Sequence, residues 1–122
     1  MSRQDEFVLV DYLEHILLAI GRIQRYLDGF DQASFLENEE KQDAVIRNLE
    51  IIGEAAGNIQ RRFPDFTSTH TNLPLKAAYG TRNLLAHGYF KVDLDVVWKT
   101  LEMDLPSLKL QVEEAIRELS KL

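Results

Sequence analysis

Cysteine is absent from the 122 residues, which excludes disulfides, thiolate metal sites and cysteine nucleophiles. Only three prolines and six glycines interrupt the chain, too few for a disordered low-complexity segment. Long apolar runs are missing as well: none approaches the roughly 20 residues that a membrane-spanning helix needs. Asp5 and Glu6 precede any apolar run, so neither a signal peptide nor a membrane segment is expected, and the expected location is cytoplasmic. Positive charge is in short supply, with 14 Lys and Arg against 20 Asp and Glu and a net charge of −6. That balance argues against broad adhesion to nucleic acid through many phosphates. It leaves room for a local site, because Arg22, Arg25, Arg47, Arg61, Arg62, Lys76, Arg82 and Lys91 can still gather on one surface. The three histidines form no His-x3-His pair and have no clustered carboxylates, so no metal and no cofactor is expected. Phosphate loop, nucleophile elbow, strand alternation and internal repeat are all lacking.

What the chain does have is helical periodicity, on a length that suits one domain over residues 1–122 with its own core. From about Asp5 to Asp28, Leu9, Tyr12 or Leu13, Ile16, Ile20, Ile23 and Leu27 recur every three or four residues, and Gly29 offers a stop. Residues 31–38 read as a turn or a single helical turn, with Phe30, Phe35 and Leu36 tucked onto the core. A second long helix is expected from about Glu39 to Arg62 on the stripe Val45, Leu49, Ile52, Ala56, Ile59 and Phe63. Gly53 and Gly57 inside it point to close helix approach. Phe63-Pro64-Asp65 then breaks the helix, and polar residues 67–72 read as a surface loop carrying a solvent-exposed His70. A third helix spans about Pro74 to His87, and a fourth, capped by Asp93, follows with Pro106 kinking or dividing it. Trp98 reads as core or interface packing. The class is all-α, an antiparallel bundle of four to five helices.

One stretch departs from scaffold. Between Arg82 and Phe90 the chain reads Arg-Asn-Leu-Leu-Ala-His-Gly-Tyr-Phe, bringing a guanidinium, an imidazole and a phenol within eight residues. At about 100° per residue, Leu75, Ala78, Arg82, Leu85 and Tyr89 share one stripe, so Arg82 interrupts an apolar face. A buried guanidinium cannot shed its charge and needs anionic or hydrogen-bonding partners. Glu54 or Glu50, on the charged face of the second long helix, is the obvious carboxylate, in a structural salt bridge or beside a phosphate site. His87 points about 140° away from Arg82 on an ideal helix. Either the Arg side chain curls round to the imidazole, or two copies of the chain assemble the site across a symmetry axis. Alone, a histidine in a last turn also serves as a helix-dipole partner.

Arg82, four residues, His87, one residue, Tyr89 resembles the Arg-x4-His-x-Tyr signature of the HepT-like ribonuclease toxins in the HEPN superfamily. The flanks agree: Arg47-Asn48-Leu49-Glu50-Ile51-Ile52-Gly53-Glu54-Ala55-Ala56 and Leu73-Pro74 upstream, then Val97-Trp98 and Asp104-Leu105-Pro106 downstream. Leu75, where the family often has an aromatic, and Thr81, where it has an apolar residue, are departures outside the three reactive positions. The resemblance covers nearly the whole chain and implies a HEPN-like helical domain that pairs as a homodimer with two motifs facing one cleft. It also implies a metal-independent endoribonuclease toxin of a type II toxin-antitoxin pair, cleaving RNA by 2′-hydroxyl attack. In that reading Arg82 and His87 are catalytic, and Asn83 and Tyr89 bind substrate. The resemblance further implies a minimal nucleotidyltransferase antitoxin that adds AMP to Tyr89. Two other classes stay open on the residues alone: a noncatalytic helical partner-binding module of a nucleotidyltransferase, and a nucleotide-binding protein that cleaves nothing.

Overall fold

The computed structural model describes residues 1–75, 77–78 and 92–120. Six helices are delimited among them, with Leu75, Ala77 and Ala78 helical besides, and the described residues hold no strand: α1 (Arg3–Tyr26), α2 (Gln32–Leu36), α3 (Glu39–Arg62), α4 (Pro64–Thr69), α5 (Leu94–Met103) and α6 (Leu105–Ser120). The all-α HEPN-like bundle expected from the sequence is what is found. Two of the elements are single turns.

Helices α1, α2, α3 and α5 begin where a side chain supplies an acceptor for otherwise unpaired N–H groups. Ser2 and Asp5 form a reciprocal capping box at α1, and Asp31 and Ser34 form another at α2. Asn38 caps α3, and Asp93 accepts from Asp95 N at 3.0 Å and Val96 N at 3.3 Å to start α5. Gly29, at φ +79°, reverses the chain between α1 and α2, a conformation that glycine adopts without a steric penalty. Helix α5 stops at Asp104, and Pro106 sits in the first turn of α6, where its missing N–H leaves no broken bond. The expected division of the fourth helix is thus realised.

Helices α1 and α3 are the principal pair, and they run antiparallel. Arg62 Nη1 donates to the Tyr12 hydroxyl at 2.9 Å toward one end, and Lys41 sits over the Tyr26 ring at the other. Helix α6 runs against α1, with Lys109 Nζ donating to Gln24 Oε1 at 3.4 Å and Leu119 beside Arg3 and Phe7. Leu9, Leu13, Ile16, Ile20, Val45, Ile59 and Val112 are fully enclosed between these three helices in one continuous core. Gly53 and Gly57 are buried in α3, consistent with close approach.

Three expectations are corrected. Residues 64–69 are a helix and not part of a loop, because Pro64 suits a first turn and Phe66 buries. Its hydroxyls fold back onto carbonyls, Thr67 Oγ1 to Phe63 O at 3.1 Å and Ser68 Oγ to Asp65 O at 3.0 Å, so polar residues complete a helical turn. His70 is half-buried rather than solvent-exposed: its ring stacks on Phe66 at 4.0 Å, Nδ1 lies 2.9 Å from Phe66 O and Nε2 lies 3.1 Å from Glu118 Oε2. Leu36 stays exposed while Phe35 is the buried side chain of α2, paired with Trp98 at 5.3 Å.

Candidate active site

Arg82, Asn83, His87 and Tyr89 lie outside the described residues. The structure defines the frame on either side of them. Upstream, His70 ties the end of α4 to α6, and Leu73 and Leu75 are buried three and five residues later. Leu75, Ala77 and Ala78 are helical, within the span 74–87 expected as a third helix, and the rest of that span after Ala78 lies outside the described residues. Downstream, Val92 packs on the core and Asp93 opens α5. The described residues on either side, Leu73 and Leu75 before and Val92 after, are thus anchored by apolar burial.

Ala77 and Ala78 line a cavity of about 310 Å³ with Leu49 and Ile52 of α3, and with Leu105 and Leu108 at the start of α6. Its polar margin comes from Asn72, Thr100, Asp104 and Ser107. The cavity lies beside Ala77 and Ala78, and its described lining is mainly apolar.

The carboxylates proposed as partners for Arg82 differ in setting. Glu54 is exposed on α3, and Glu50 is half-buried and 3.8 Å from Arg47 Nη1. An ion pair that open to solvent contributes at most about 1 kcal/mol. Among the described arginines, Arg22 and Arg25 stand toward the Lys41 end of the α1–α3 pair, and Arg61 and Arg62 at the other, where Arg62 meets Tyr12, roughly 15–20 Å away along α1 by its rise per residue. Among the described residues no group of three or more His, Asp or Glu side chains could hold a metal.

Sequence reasoning passed over Asn48. It is 4% exposed, the one buried polar side chain among the described residues. Nδ2 donates to Ala44 O at 2.8 Å, while Oδ1 has no hydrogen-bond partner among the described residues. The Ala44 carbonyl fixes the orientation of the amide, since a flipped side chain would set oxygen against oxygen. The signal was available: Asn48 shares a helical face with Ile52, Ala55 and Ile59, interrupting it as Arg82 interrupts its own.

The family model described as ribonuclease HepT-like matches residues 16–115. The chain belongs to the HepT-like ribonuclease family. Among its HepT-like relatives, the Thermococcus cleftensis protein named "Probable ribonuclease HepT" is 43% identical over 104 residues, 85% of this chain and 92% of that protein. A Methanocaldococcus jannaschii protein named "Putative RNase MJ1380" is 36% identical over 113 residues, 93% of this chain and 98% of the other. One from Caldanaerobacter subterraneus subsp. tengcongensis, named "Putative RNase TTE0752", is 34% identical over 107 residues, 88% and 93% of the two chains. No solved structure matches. The matched HepT-like region contains the whole Arg82–Tyr89 stretch, and no helix among the described residues is long and apolar enough to cross a membrane.

Proposed function

We propose that this chain is an endoribonuclease whose reaction is carried by Arg82 and His87. The observation that carries the reading is membership of a ribonuclease family over residues 16–115 by a chain that keeps Arg-x4-His-x-Tyr intact within that span. His87, with an imidazole able to exchange protons near neutral pH, takes the proton of an RNA 2′-hydroxyl. The 2′-oxygen attacks the adjacent phosphorus, the bond to the 5′-oxygen breaks, and that oxygen leaves with a proton. The products are a 2′,3′-cyclic phosphate end and a 5′-hydroxyl end. Arg82 holds the phosphate and the charge that builds on it through its forked donors. Tyr89 hydrogen-bonds the phosphate or stacks on a base, and Asn83, one turn before His87, orients the ring. Proton transfer and charge stabilisation both come from side chains, so the reaction needs no metal.

The same reading makes the protein the toxin of a toxin-antitoxin pair. A minimal nucleotidyltransferase acts as antitoxin by adding AMP to Tyr89. Adenylate there places bulk and negative charge where the RNA phosphate must sit, opposing binding by steric block and repulsion. A homodimer brings two motifs to one cleft, which answers the 140° between Arg82 and His87 on a single ideal helix. The test is cleavage of total RNA without divalent ions, with the ends mapped. His87→Ala and Arg82→Ala should abolish cleavage while keeping helical circular dichroism and the wild-type solution mass. Equal cleavage by both variants and wild type refutes the assignment, and no cleavage by any of them favours a noncatalytic partner-binding module. Intact mass after co-expression with the partner tests the modification of Tyr89.

A further inference from the structure

Helix α1 buries one face and leaves a second stripe in solvent. Phe7, Asp11, Glu14, Leu18, Arg22 and Arg25 recur every three or four residues and lie within about 40° of Leu18, opposite the buried Leu9, Leu13, Ile16 and Ile20. Phe7 is 62% exposed and Leu18 57%. The charges on the stripe are sorted: carboxylates at Asp11 and Glu14, then Leu18, then guanidiniums at Arg22 and Arg25. The helix dipole does not account for this order, since its pull fades within the first and last turns and Asp11 and Glu14 lie beyond the first. Nor does α1 offer partners one turn away, for Glu14 is flanked at that distance by Val10 and Leu18, and Arg22 by Leu18 and Tyr26. No ion pair or hydrogen bond among the described residues engages these four charged side chains.

That order is self-complementary. In an antiparallel pair of α1 helices related by a two-fold axis at Leu18, residues equidistant from Leu18 face each other. Glu14 and Arg22 lie four residues, about 6 Å, on either side of it, and Asp11 and Arg25 seven residues, about 10 Å. Each copy's Glu14 therefore meets the other's Arg22, and each Asp11 the other's Arg25, around a contact between the two Leu18 side chains. Phe7 falls beside Gly29 of the second copy, where an added Cβ would meet nothing within 4 Å. Parallel packing would set carboxylate against carboxylate instead. RNA fits the stripe poorly, because Asp11 and Glu14 repel phosphate.

We propose that the outer face of α1 is a docking surface for a second copy of this chain, packed antiparallel about a two-fold axis at Leu18. The face carries no residue of the Arg82–Tyr89 motif and contributes nothing to the cavity beside Ala77 and Ala78. The pairing is thus separate from a homodimer that joins two motifs, and the two contacts together carry assembly past a dimer. A single helix face falls short of a standard interface and its ion pairs stay near solvent, so the contact is weak, dissociating at roughly 10–100 µM and loosened by salt.

The chain has no cysteine, so one introduced thiol reports this contact on a denaturing gel whatever other contacts the chain makes. The full chain with Leu18→Cys, at about 50 µM with oxidised glutathione as oxidant, should be captured mainly as a disulfide-linked dimer. Gln4→Cys, exposed on the same face but roughly 40 Å from its counterpart in the antiparallel pair, should be captured at least about tenfold more slowly. In the Leu18→Cys background, Glu14→Arg or Arg22→Glu alone should slow capture at least about fivefold, and both together should restore it to within about twofold. Equal or faster capture at Gln4→Cys, or a double exchange no faster than the single ones, overturns the proposal. So does an Arg22→Glu variant that keeps its capture rate and loses RNA binding, which would give the arginines to RNA. RNA cleavage enters neither capture readout, so the ribonuclease assignment stands or falls separately.

Discussion

His70 illustrates how a residue in a hydroxyl-rich segment becomes structural. Its ring is stacked on Phe66 and its two nitrogens reach Phe66 O and Glu118, linking positions 48 apart in sequence. Replacing it with alanine should cost about 1 kcal/mol in urea unfolding, chiefly through the lost stack and the contact to Phe66 O. Glu118→Gln should cost only a few tenths, since the Glu118 side chain is 55% exposed. Equal losses in the two variants would mean that the link to α6, and not the packing on α4, does the holding. At this scale the sequence was half legible. Arg82 stood out because a permanent charge on an apolar stripe is hard to miss. Asn48 did not, because a neutral amide on such a stripe costs less and is ordinarily a surface residue; only its burial reveals it. The role of His70 depends on an α6 side chain that no local pattern links to it.

The elements were read best where periodicity was long. The stripe from Val45 to Phe63 yields α3 over Glu39–Arg62 as found, and Asp93 and Pro106 mark the start of α5 and its separation from α6. Helix α4 escaped because residues 67–69 are hydroxyl-bearing, and the bonds from their side chains to carbonyls are invisible to hydropathy. The caps give the elements a pH response. The Ser2 side chain and backbone hold the Asp5 carboxyl below its ordinary 3.8, and bonds from Ser34 hold Asp31 below the same value. A depressed folded-state pKa means stability present above about 3.8 and lost as pH falls through the lower folded value. Amide exchange in the first turns of α1 and α2 should therefore accelerate below pH 4 ahead of the centre of α3. Asp31→Asn should flatten that response in α2 and leave α1 unchanged. Acid loosening of α2 that persists in Asp31→Asn would rule out the carboxylate as its cause.

Taken whole, the molecule is an acidic bundle that the proposed reaction sets against an acidic polymer. With Arg22 and Arg25 set apart from Arg61 and Arg62 among the described residues, a local site engages few phosphates at once. RNA binding by the His87→Ala variant should accordingly show a shallow salt dependence. Each single-strand phosphate contact contributes about −0.7 to the slope of log affinity against log salt, so two or three contacts give about −1.5 to −2. A slope steeper than about −4 would mean an extended basic track and contradict the local site. Fold class was readable at this scale because amphipathic helices with short links admit few arrangements. The convergence of separate turns on one cavity was not, since it depends on the direction in which each helix returns.

The contact between Phe35 and Trp98 has a practical corollary. Trp98 is the only indole in the chain, and its neighbour Phe35 is the buried side chain of α2. Its emission is therefore an inbuilt optical gauge of whether that short turn is docked beside α5, readable without any label during unfolding, partner mixing or RNA titration.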